Sequence, residues 1–185
     1  SVSVPTQSIL FNIDIEGPLT KDKTAVLRVF AKMFYNHCGF YGDDLKIAKL
    51  ERFIEKQGKT QQFREVFEKV NGAPWTETRD SFAFFEDDIV SVLQSTLGMS
   101  EQAARNWFNG EETNELSIAQ LVADIQEYVD GKGKDFRLLF MVDEVGQYIG
   151  DDGDLMINLQ SLVEEIGIRC HGKVWVMVTS QEAID

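Results

Sequence analysis

The chain has 185 residues, of which 43% are hydrophobic and 26% charged, and its formal net charge is -13. This composition predicts a folded soluble protein, and the acidic surface argues against direct contact with nucleic acid or an anionic membrane. Two cysteines are too few for a disulfide framework, no secretory signal pattern opens the sequence, and no apolar run reaches the roughly 20 residues of a membrane span. We therefore expect a cytoplasmic protein.

The first predicted element is a strand over residues 8–15, SILFNIDI, which is apolar enough to be covered on both faces. Nothing precedes it that could cover it, so we expect the chain to be a fragment of a longer domain. Gly17-Pro18 ends the run. An amphipathic helix over residues 23–37 then carries one apolar stripe, formed by Val26, Val29, Phe30, Met33 and Phe34.

The pattern from residue 43 to 110 is helical throughout, with Ser100 as a predicted N-cap. A simple crossover between parallel strands needs one helix, so we interpret 43–110 as a helical insertion. Residues 1–42 and 111–185 would then form the α/β core. Trp75 and Trp107 could anchor a partner, but aromatic residues at helical spacing more often belong to a core.

A helix ending at Gly131 leads into a second strand over 136–142, and a third strand is predicted over 173–179. The helix between them is predicted to begin at Asp154 and to end at Gly167. A right-handed crossover would make the two strands parallel neighbours. The predicted fold class is therefore α/β, with a three-stranded parallel sheet and a large helical insertion.

The second strand ends in paired acids, LLFMVDE, and the third ends in hydroxyl side chains, VWVMVTSQE. Parallel strands bring their carboxyl ends to one edge of the sheet, where α/β domains bind their ligands. In phosphoryl hydrolysis Asp143 would hold the shell of a Mg²⁺ ion and Glu144 would orient the attacking water. Thr179 or Ser180, and less strongly Gln181, could hydrogen-bond that water or the γ-phosphate. The plainer alternative is a strand that ends in two solvated acids.

A P-loop, G-x-x-x-x-G-K-[ST], is absent from the sequence. Gly58-Lys59-Thr60 matches its last three positions, but residue 53 is Phe and an amphipathic helix precedes the match instead of a strand. Thr60 is better explained as the N-cap of the next helix. We therefore expect this chain alone to bind nucleotide poorly or not at all.

Residues 134–185, with LLFMVDEVGQYIG, NLQSLVEE and VWVMVTSQEAID, resemble the large P-loop ATPase of BREX phage-defence systems. The resemblance is weaker over residues 8–37 and does not extend to the helical insertion. It implies an AAA+-like sheet of order 5-1-4-3-2, in which the three strands here would be numbers 2, 3 and 4 and the segment DEVGQ would be Walker B.

The resemblance further implies Asp143 as the magnesium residue, Glu144 as the catalytic base and Ser180 or Thr179 as the sensor, with ATP and Mg²⁺ as cofactors of the longer protein. It implies other proteins of the defence system as partners, with DNA as a further candidate, both through regions outside this chain. Without strand 1, the edge at Val174–Val178 is open and apolar, so we predict self-association through it.

Two other classes of function remain open. FNIDIEGPLT at residues 11–20 resembles the opening of haloacid-dehalogenase phosphohydrolases, with Asp14 as nucleophile, and the D-x-E of proofreading exonucleases. The phosphohydrolase pattern requires Asp at the position of Glu16. It also places its metal-binding acid pair after the hydroxyl-bearing strand, whereas Asp143 and Glu144 precede Thr179 and Ser180 in this chain. The third possibility is a non-catalytic interaction module built on an ATPase fold.

Overall fold

The computed structural model describes residues 5–110 and 116–179, and it divides into two compact units. The sheet unit comprises Ser1–His37 and Leu116–Asp185, and the helical unit comprises Cys38–Glu115. The predicted insertion had its limits at residues 43 and 110. In the described part of the chain, no helix has the length and apolarity that crossing a membrane requires.

The strands are β1 (Thr6–Asn12), β2 (Arg137–Asp143) and β3 (Val174–Val178). In chain order the α-helices are α1 (Ile13–Glu16), α2 (Ala25–His37), α3 (Leu45–Lys56), α4 (Thr60–Asn71), α5 (Trp75–Thr78), α6 (Glu86–Leu97), α7 (Glu101–Asn109), α8 (Ile118–Gly131), α9 (Val145–Ile149) and α10 (Gly153–Arg169). A 3₁₀ helix, Arg79–Phe84, follows α5.

The sheet is open and entirely parallel, in the order β1-β2-β3. This confirms the predicted α/β class, with three parallel strands and a large helical segment between the first two. In the register Asn12 lies opposite Asp143, and Val142 lies opposite Val178. All three strands therefore end at the same edge of the sheet.

The helices α2, α8 and α10 pack against one another and cover one face of the sheet. Both crossovers run in the same direction along the sheet, and right-handed crossovers then place their helices on a common face. Phe30 of α2 packs on this face against Phe11 and Phe140, with ring centroids 5.4 and 5.5 Å away. On the other face Leu10 is 70% exposed and Trp175 61% exposed.

The first strand is shorter than predicted. It ends at Asn12, whose side-chain Oδ1 accepts hydrogen bonds from the backbone N–H groups of Asp14 and Ile15, at 2.9 and 3.2 Å. These bonds cap α1, so Ile13 turns into the core while Ile15 is exposed. The apolar run therefore spans a strand and a helical turn.

Helix α10 begins earlier and ends later in the chain than its sequence signals predicted. Asp152, and not Asp154, is its N-cap, since Oδ1 of Asp152 accepts hydrogen bonds from the N–H groups of Asp154 and Leu155. Gly167 lies inside the helix, which continues to Arg169. Gly167 therefore does not end the helix, and the prediction of a helix end at this residue is wrong.

The helical unit has a core of its own, built around Trp75. The indole of Trp75 is 2% exposed and meets the rings of Phe63 and Phe67 edge to face, with centroids 5.2 and 5.0 Å apart. Trp107 packs against the same core and is partly exposed. These contacts confirm the assignment of both tryptophans to a core.

Two predicted helix caps in this unit have different outcomes. Ser100 caps α7, with its hydroxyl accepting a hydrogen bond from Ala103 N–H at 3.1 Å, as predicted. Thr60 does not cap α4: Lys59 is the N-cap, no side chain makes a capping bond, and Thr60 is the first helical residue. Gly58-Lys59-Thr60 joins two helices, α3 and α4, whereas a P-loop follows a strand.

Candidate functional site

The carboxyl edge of the sheet brings Asp143 and Thr179 into direct contact. The Thr179 hydroxyl donates a hydrogen bond of 2.6 Å to Oδ1 of Asp143. Backbone bonds hold the same pair of strand ends together, from Thr179 N–H to the carbonyl of Val142 at 2.9 Å and from Val145 N–H to the carbonyl of Thr179 at 3.3 Å. Two of the predicted site residues therefore form one hydrogen-bonded pair.

Glu144 occupies the turn between β2 and α9 in a left-handed backbone conformation, with φ 61° and ψ 29°. Few residues other than glycine, asparagine or aspartate adopt this region, and doing so stores strain that clusters at functional sites. Its N–H donates to Oδ1 of Asp143 at 2.9 Å. Asp143 is thus the last residue of β2, with strand conformation, and Glu144 follows it directly in a left-handed conformation.

Both acids keep carboxylate oxygens that are available for a ligand. Oδ1 of Asp143 accepts the two bonds described above, whereas Oδ2 and the carboxylate of Glu144 accept none from the described residues. Both residues are only partly buried. Across the described ranges, no group of three or more His, Cys, Asp or Glu side chains is placed to hold a metal ion. Such an edge suits Mg²⁺ that arrives with phosphate oxygens and keeps several waters, which needs one or two carboxylates from the protein.

Helix α9 is fixed in place by contacts of Tyr148 with the segment that follows α1. The Lys21 ammonium donates to the carbonyl of Tyr148 at 3.0 Å and lies 4.3 Å from the centroid of its ring. The Tyr148 hydroxyl donates to the carbonyl of Pro18 at 3.4 Å. A Cβ on Gly17 would lie 2.8 Å from the ring and 2.6 Å from the carbonyl oxygen of Ile13, so only glycine fits here. These contacts anchor the helix that Glu144 begins.

The electrostatics of this flank follow from burial and from local hydrogen bonds. Burial raises the pKa of the Tyr148 hydroxyl, so it remains a neutral donor. Nearby, the Asp22 carboxylate accepts hydrogen bonds from the hydroxyl and the N–H of Thr24 and from Arg28, which lowers its pKa to about 2. The segment between α1 and α2 is therefore held by an ionised carboxylate.

The remaining predicted residues have different positions. Ser180 and Gln181 lie outside the described residues. Asp14 is exposed in the first turn of α1, two residues beyond the end of β1, and not at the strand end where the phosphohydrolase pattern would place its nucleophile. Asn12 was missed by the sequence analysis, although the register sets it opposite Asp143. An Asn at the end of an apolar run, followed by an acid two residues later, is a capping signal that could have revealed it.

A scan against models of protein families finds none that matches this chain, and no solved structure shows significant similarity to it.

Proposed function

We propose that this chain is the Walker B and sensor portion of an ATP-hydrolysing P-loop ATPase of the BREX phage-defence type. The observation that carries the proposal is the junction at the sheet edge. Asp143 and Thr179 are joined by a 2.6 Å hydrogen bond at neighbouring strand ends, and Glu144 follows at once in a strained turn. Phosphoryl hydrolysis needs a carboxylate for Mg²⁺ and a residue that orients the attacking water, and the two acids at this edge can supply both.

In this proposal the chain's residues have separate roles. Oδ2 of Asp143 would hold the water shell of Mg²⁺. Thr179 orients that carboxylate, and Ser180 or Thr179 would act as the sensor of the γ-phosphate. Glu144 accepts a hydrogen bond from the attacking water and orients it. When bound, MgATP supplies the transferable phosphoryl group and the cation that offsets its charge. The open oxygens of both acids fit these roles.

The chain alone is not proposed to turn over ATP. Its sequence has no P-loop, and the one partial match, Gly58-Lys59-Thr60, lies between two helices of the helical unit. The lysine and the amide cradle that bind the β- and γ-phosphates must therefore come from another segment. Hydrolysis belongs to the longer protein to which this segment is assigned.

The cellular location and the partners are proposed from the same assignment. We propose a cytoplasmic protein that works with other proteins of the defence system. The net charge of -13 disfavours DNA contact by this segment, so any such contact is assigned to other regions. The outer edge of β3, which the AAA+-like order assigns to strand 1, is proposed to pair with a second copy when strand 1 is lacking.

ATP turnover by the P-loop-containing protein tests the proposal. Glu144→Gln should lower turnover by about 100-fold or more while leaving ATP binding unchanged, because the carboxylate acts on the water and not on the nucleotide. The matched control is Glu164→Gln, an exposed acid of α10, which should change neither quantity. Normal turnover by the Glu144→Gln protein would refute the assignment.

The interaction-module alternative is favoured by one observation, the exposed apolar face of the sheet with Leu10, Trp175 and Met177. Parallel sheets are normally covered on both faces, so this face suits a protein contact. If substitutions on this face abolished partner binding and left ATP turnover unchanged, the result would favour the interaction module.

A further inference from the structure

The outer edge of β3 carries backbone groups that pair with no strand of the described residues. On the inner edge, the carbonyl of Lys173 accepts a hydrogen bond from Leu138 N–H at 2.9 Å. At the other end of the strand, Thr179 N–H donates to the carbonyl of Val142 at 2.9 Å. Backbone groups alternate in direction along a strand, so its odd-numbered positions face β2. The N–H and C=O groups that point outward belong to Val174, Val176 and Val178.

Two large side chains flank this edge on the open face of the sheet. Trp175 is 61% exposed and Met177 is 51% exposed. The indole N–H of Trp175 donates to the carbonyl of Gly172 at 3.0 Å, so the only polar atom of the ring is satisfied within the chain. The ring therefore offers apolar surface to a neighbour. Proteins normally cover an open edge with such surroundings, because it is a template for strand pairing.

Helix α10 extends the same surface on the covered face of the sheet. One side of this helix faces α2 and α8, since the Asn158 amide donates to the segment before α2 and the Arg169 guanidinium donates to the carbonyl of Ala119 in α8 at 3.2 Å. At 3.6 residues per turn, Met156 and Val163 lie on the opposite side of the helix, next to the open edge. They are 40% and 38% exposed.

Five uncharged side chains form what we call the β3 surface, namely Met156, Val163, Trp175, Met177 and Val178. A strongly basic or acidic partner finds no charge to pair with on this surface, whereas two copies of a chain with net charge -13 can meet at an uncharged surface without repulsion. These side chains expose about 500 Å² per copy, so two copies reach the roughly 1,000 Å² of total area that a specific interface needs. The β3 surface therefore fits a second copy of the chain.

We propose that β3 of one copy pairs with β3 of a second copy, antiparallel about a two-fold axis at Val176. In this register Val176 lies opposite the partner's Val176, and Val174 lies opposite the partner's Val178. All the outward N–H and C=O groups of both strands are then bonded, and the two sheets form one sheet of six strands. Moving the axis to Trp175 or Met177 leaves one valine of each copy without a partner in the strand.

The same axis brings the other parts of the β3 surface together. Trp175 lies opposite the partner's Met177 in a non-hydrogen-bonded pair, where side chains are closest and a sulfur–aromatic contact is favourable. Helix α10 crosses from β2 to β3 and lies about 5 Å from the axis, so the two copies of α10 are about 10 Å apart, the distance of packed helices. Val163 is about level with Val176, counted from the turn at about 1.5 Å per helical and 3.3 Å per strand residue.

This interface extends the self-association included in the proposed function and gives it a direction and a register. It does not depend on the ATPase assignment. Dimerisation is measured on this chain, whereas the effect of Glu144→Gln on turnover is measured on the P-loop-containing protein. Failure of one test therefore leaves the other result standing.

Disulfide cross-linking tests the register. In a chain with Cys38→Ser and Cys170→Ala, two single variants are made, Trp175→Cys and Met177→Cys. An oxidised mixture of the two variants should give disulfide-linked dimers, because directly opposed positions have the Cα separation of about 4.4–6.8 Å that a disulfide requires. Each variant alone should give none, because its two thiols then lie on a diagonal of about 7–8 Å.

A charge on α10 tests the contact between the helices. Val163→Glu places two carboxylates beside the axis and should raise the Kd of the dimer by about tenfold or more. Ile157→Glu is the matched control, since Ile157 is 60% exposed on the side of α10 that faces away from the sheet, and it should leave Kd unchanged. Sedimentation equilibrium measures both values, and circular dichroism verifies that each variant is folded.

Three results would overturn the proposal. The first is an original chain that stays monomeric from micromolar to millimolar concentration. The second is a mixture of Trp175→Cys and Met177→Cys that does not cross-link, or either variant cross-linking alone, which would place the axis at another residue. The third is an equal effect of Val163→Glu and Ile157→Glu on Kd, which would remove α10 from the interface.

Discussion

The hydroxyl of Thr179 and the carboxylate of Asp143 connect the ends of two neighbouring parallel strands through a 2.6 Å hydrogen bond. The Asp143 Oδ1 atom also accepts the N–H of Glu144, so one oxygen fixes both the adjacent strand and the turn into α9. Oδ2 remains open on the opposite side of the carboxylate. A single side chain therefore combines a structural role with a free ligand atom.

Removing this bond should lower stability modestly. We expect Thr179→Val to reduce the free energy of unfolding by about 1 kcal/mol, because the acceptor is charged but the pair is partly exposed. Thr179→Ser keeps the hydroxyl and should reduce the free energy of unfolding by less than Thr179→Val does. Urea unfolding of the three chains measures the difference. Equal losses in the serine and valine variants would show that the hydroxyl bond contributes nothing.

The left-handed turn at Glu144 should oppose stability. Glu144→Gly is expected to raise the free energy of unfolding by about 1 kcal/mol, since glycine adopts φ 61° without the Cβ clash. His171, with φ 50°, lies in a turn before β3, and His171→Gly should show a similar gain.

ATP turnover should distinguish the Glu144→Gly variant from the His171→Gly variant. In the P-loop-containing protein Glu144→Gly should abolish ATP turnover, whereas His171→Gly should preserve it. A Glu144→Gly chain that is no more stable than the original, measured by urea unfolding beside His171→Gly, would argue that the turn carries no strain.

The contact between Gly17 and Tyr148 should tolerate no added methyl group. We expect Gly17→Ala to cost about 1–3 kcal/mol, because the new Cβ would meet a backbone oxygen at 2.6 Å and the ring at 2.8 Å. Gly167→Ala is the matched control in α10, where the space around the Cβ position is open, and should gain about 0.5–1 kcal/mol. Thermal and urea unfolding would contradict this account if both variants changed stability in the same direction.

The open edge of β3 should determine the oligomeric state of the chain. If the edge pairs with a second copy, Met177→Lys should convert dimers to monomers, since a charge on an exposed edge strand prevents pairing. Gln160→Lys, an exposed position of α10, adds the same charge and should leave the dimer intact. Light scattering coupled to size-exclusion chromatography gives the mass. A monomeric original chain would remove the basis for self-pairing.

Cys170 should make stability depend on pH in the alkaline range. Burial first, and then Asp130, raises the pKa of its thiol from 9.0 to about 11. The unfolded chain loses the thiol proton at lower pH than the folded chain, so the stabilisation is complete below pH 9 and is lost as pH rises through 11. The loss should be about 2 kcal/mol at pH 11. Cys170→Ala should show a smaller fall between pH 8 and 11 in urea unfolding; an identical fall would exclude this thiol as its source.

Patterns of apolar residues predicted the three strands and the parallel pairing of β2 with β3, because a strand–helix–strand unit leaves few topologies. The place of β1 beside β2 was expected from the family resemblance alone. The edge that holds Asp143 and Glu144 followed from the parallel pairing. The 2.6 Å contact of Thr179 did not, since it depends on the register between β2 and β3. The left-handed conformation of Glu144 was also hidden, because no glycine or asparagine marks it.

The ends of helices were harder to predict, because neighbouring residues offer equivalent signals. Asp151, Asp152 and Asp154 all precede or begin α10, and only the local turn selects Asp152 as the cap. Thr60 has the chemistry of a cap but lies one position too late.

The helical unit is connected within the passage from β1 to β2, after α2 and before α8. The strand order of the sheet and the contact of Asp143 with Thr179 should not depend on the length of chain between residues 37 and 116, because closing a longer loop costs little additional entropy. A chain with a longer, shorter or exchanged segment at this position should therefore keep the hydrogen bond between Thr179 and Asp143 at the ends of β2 and β3.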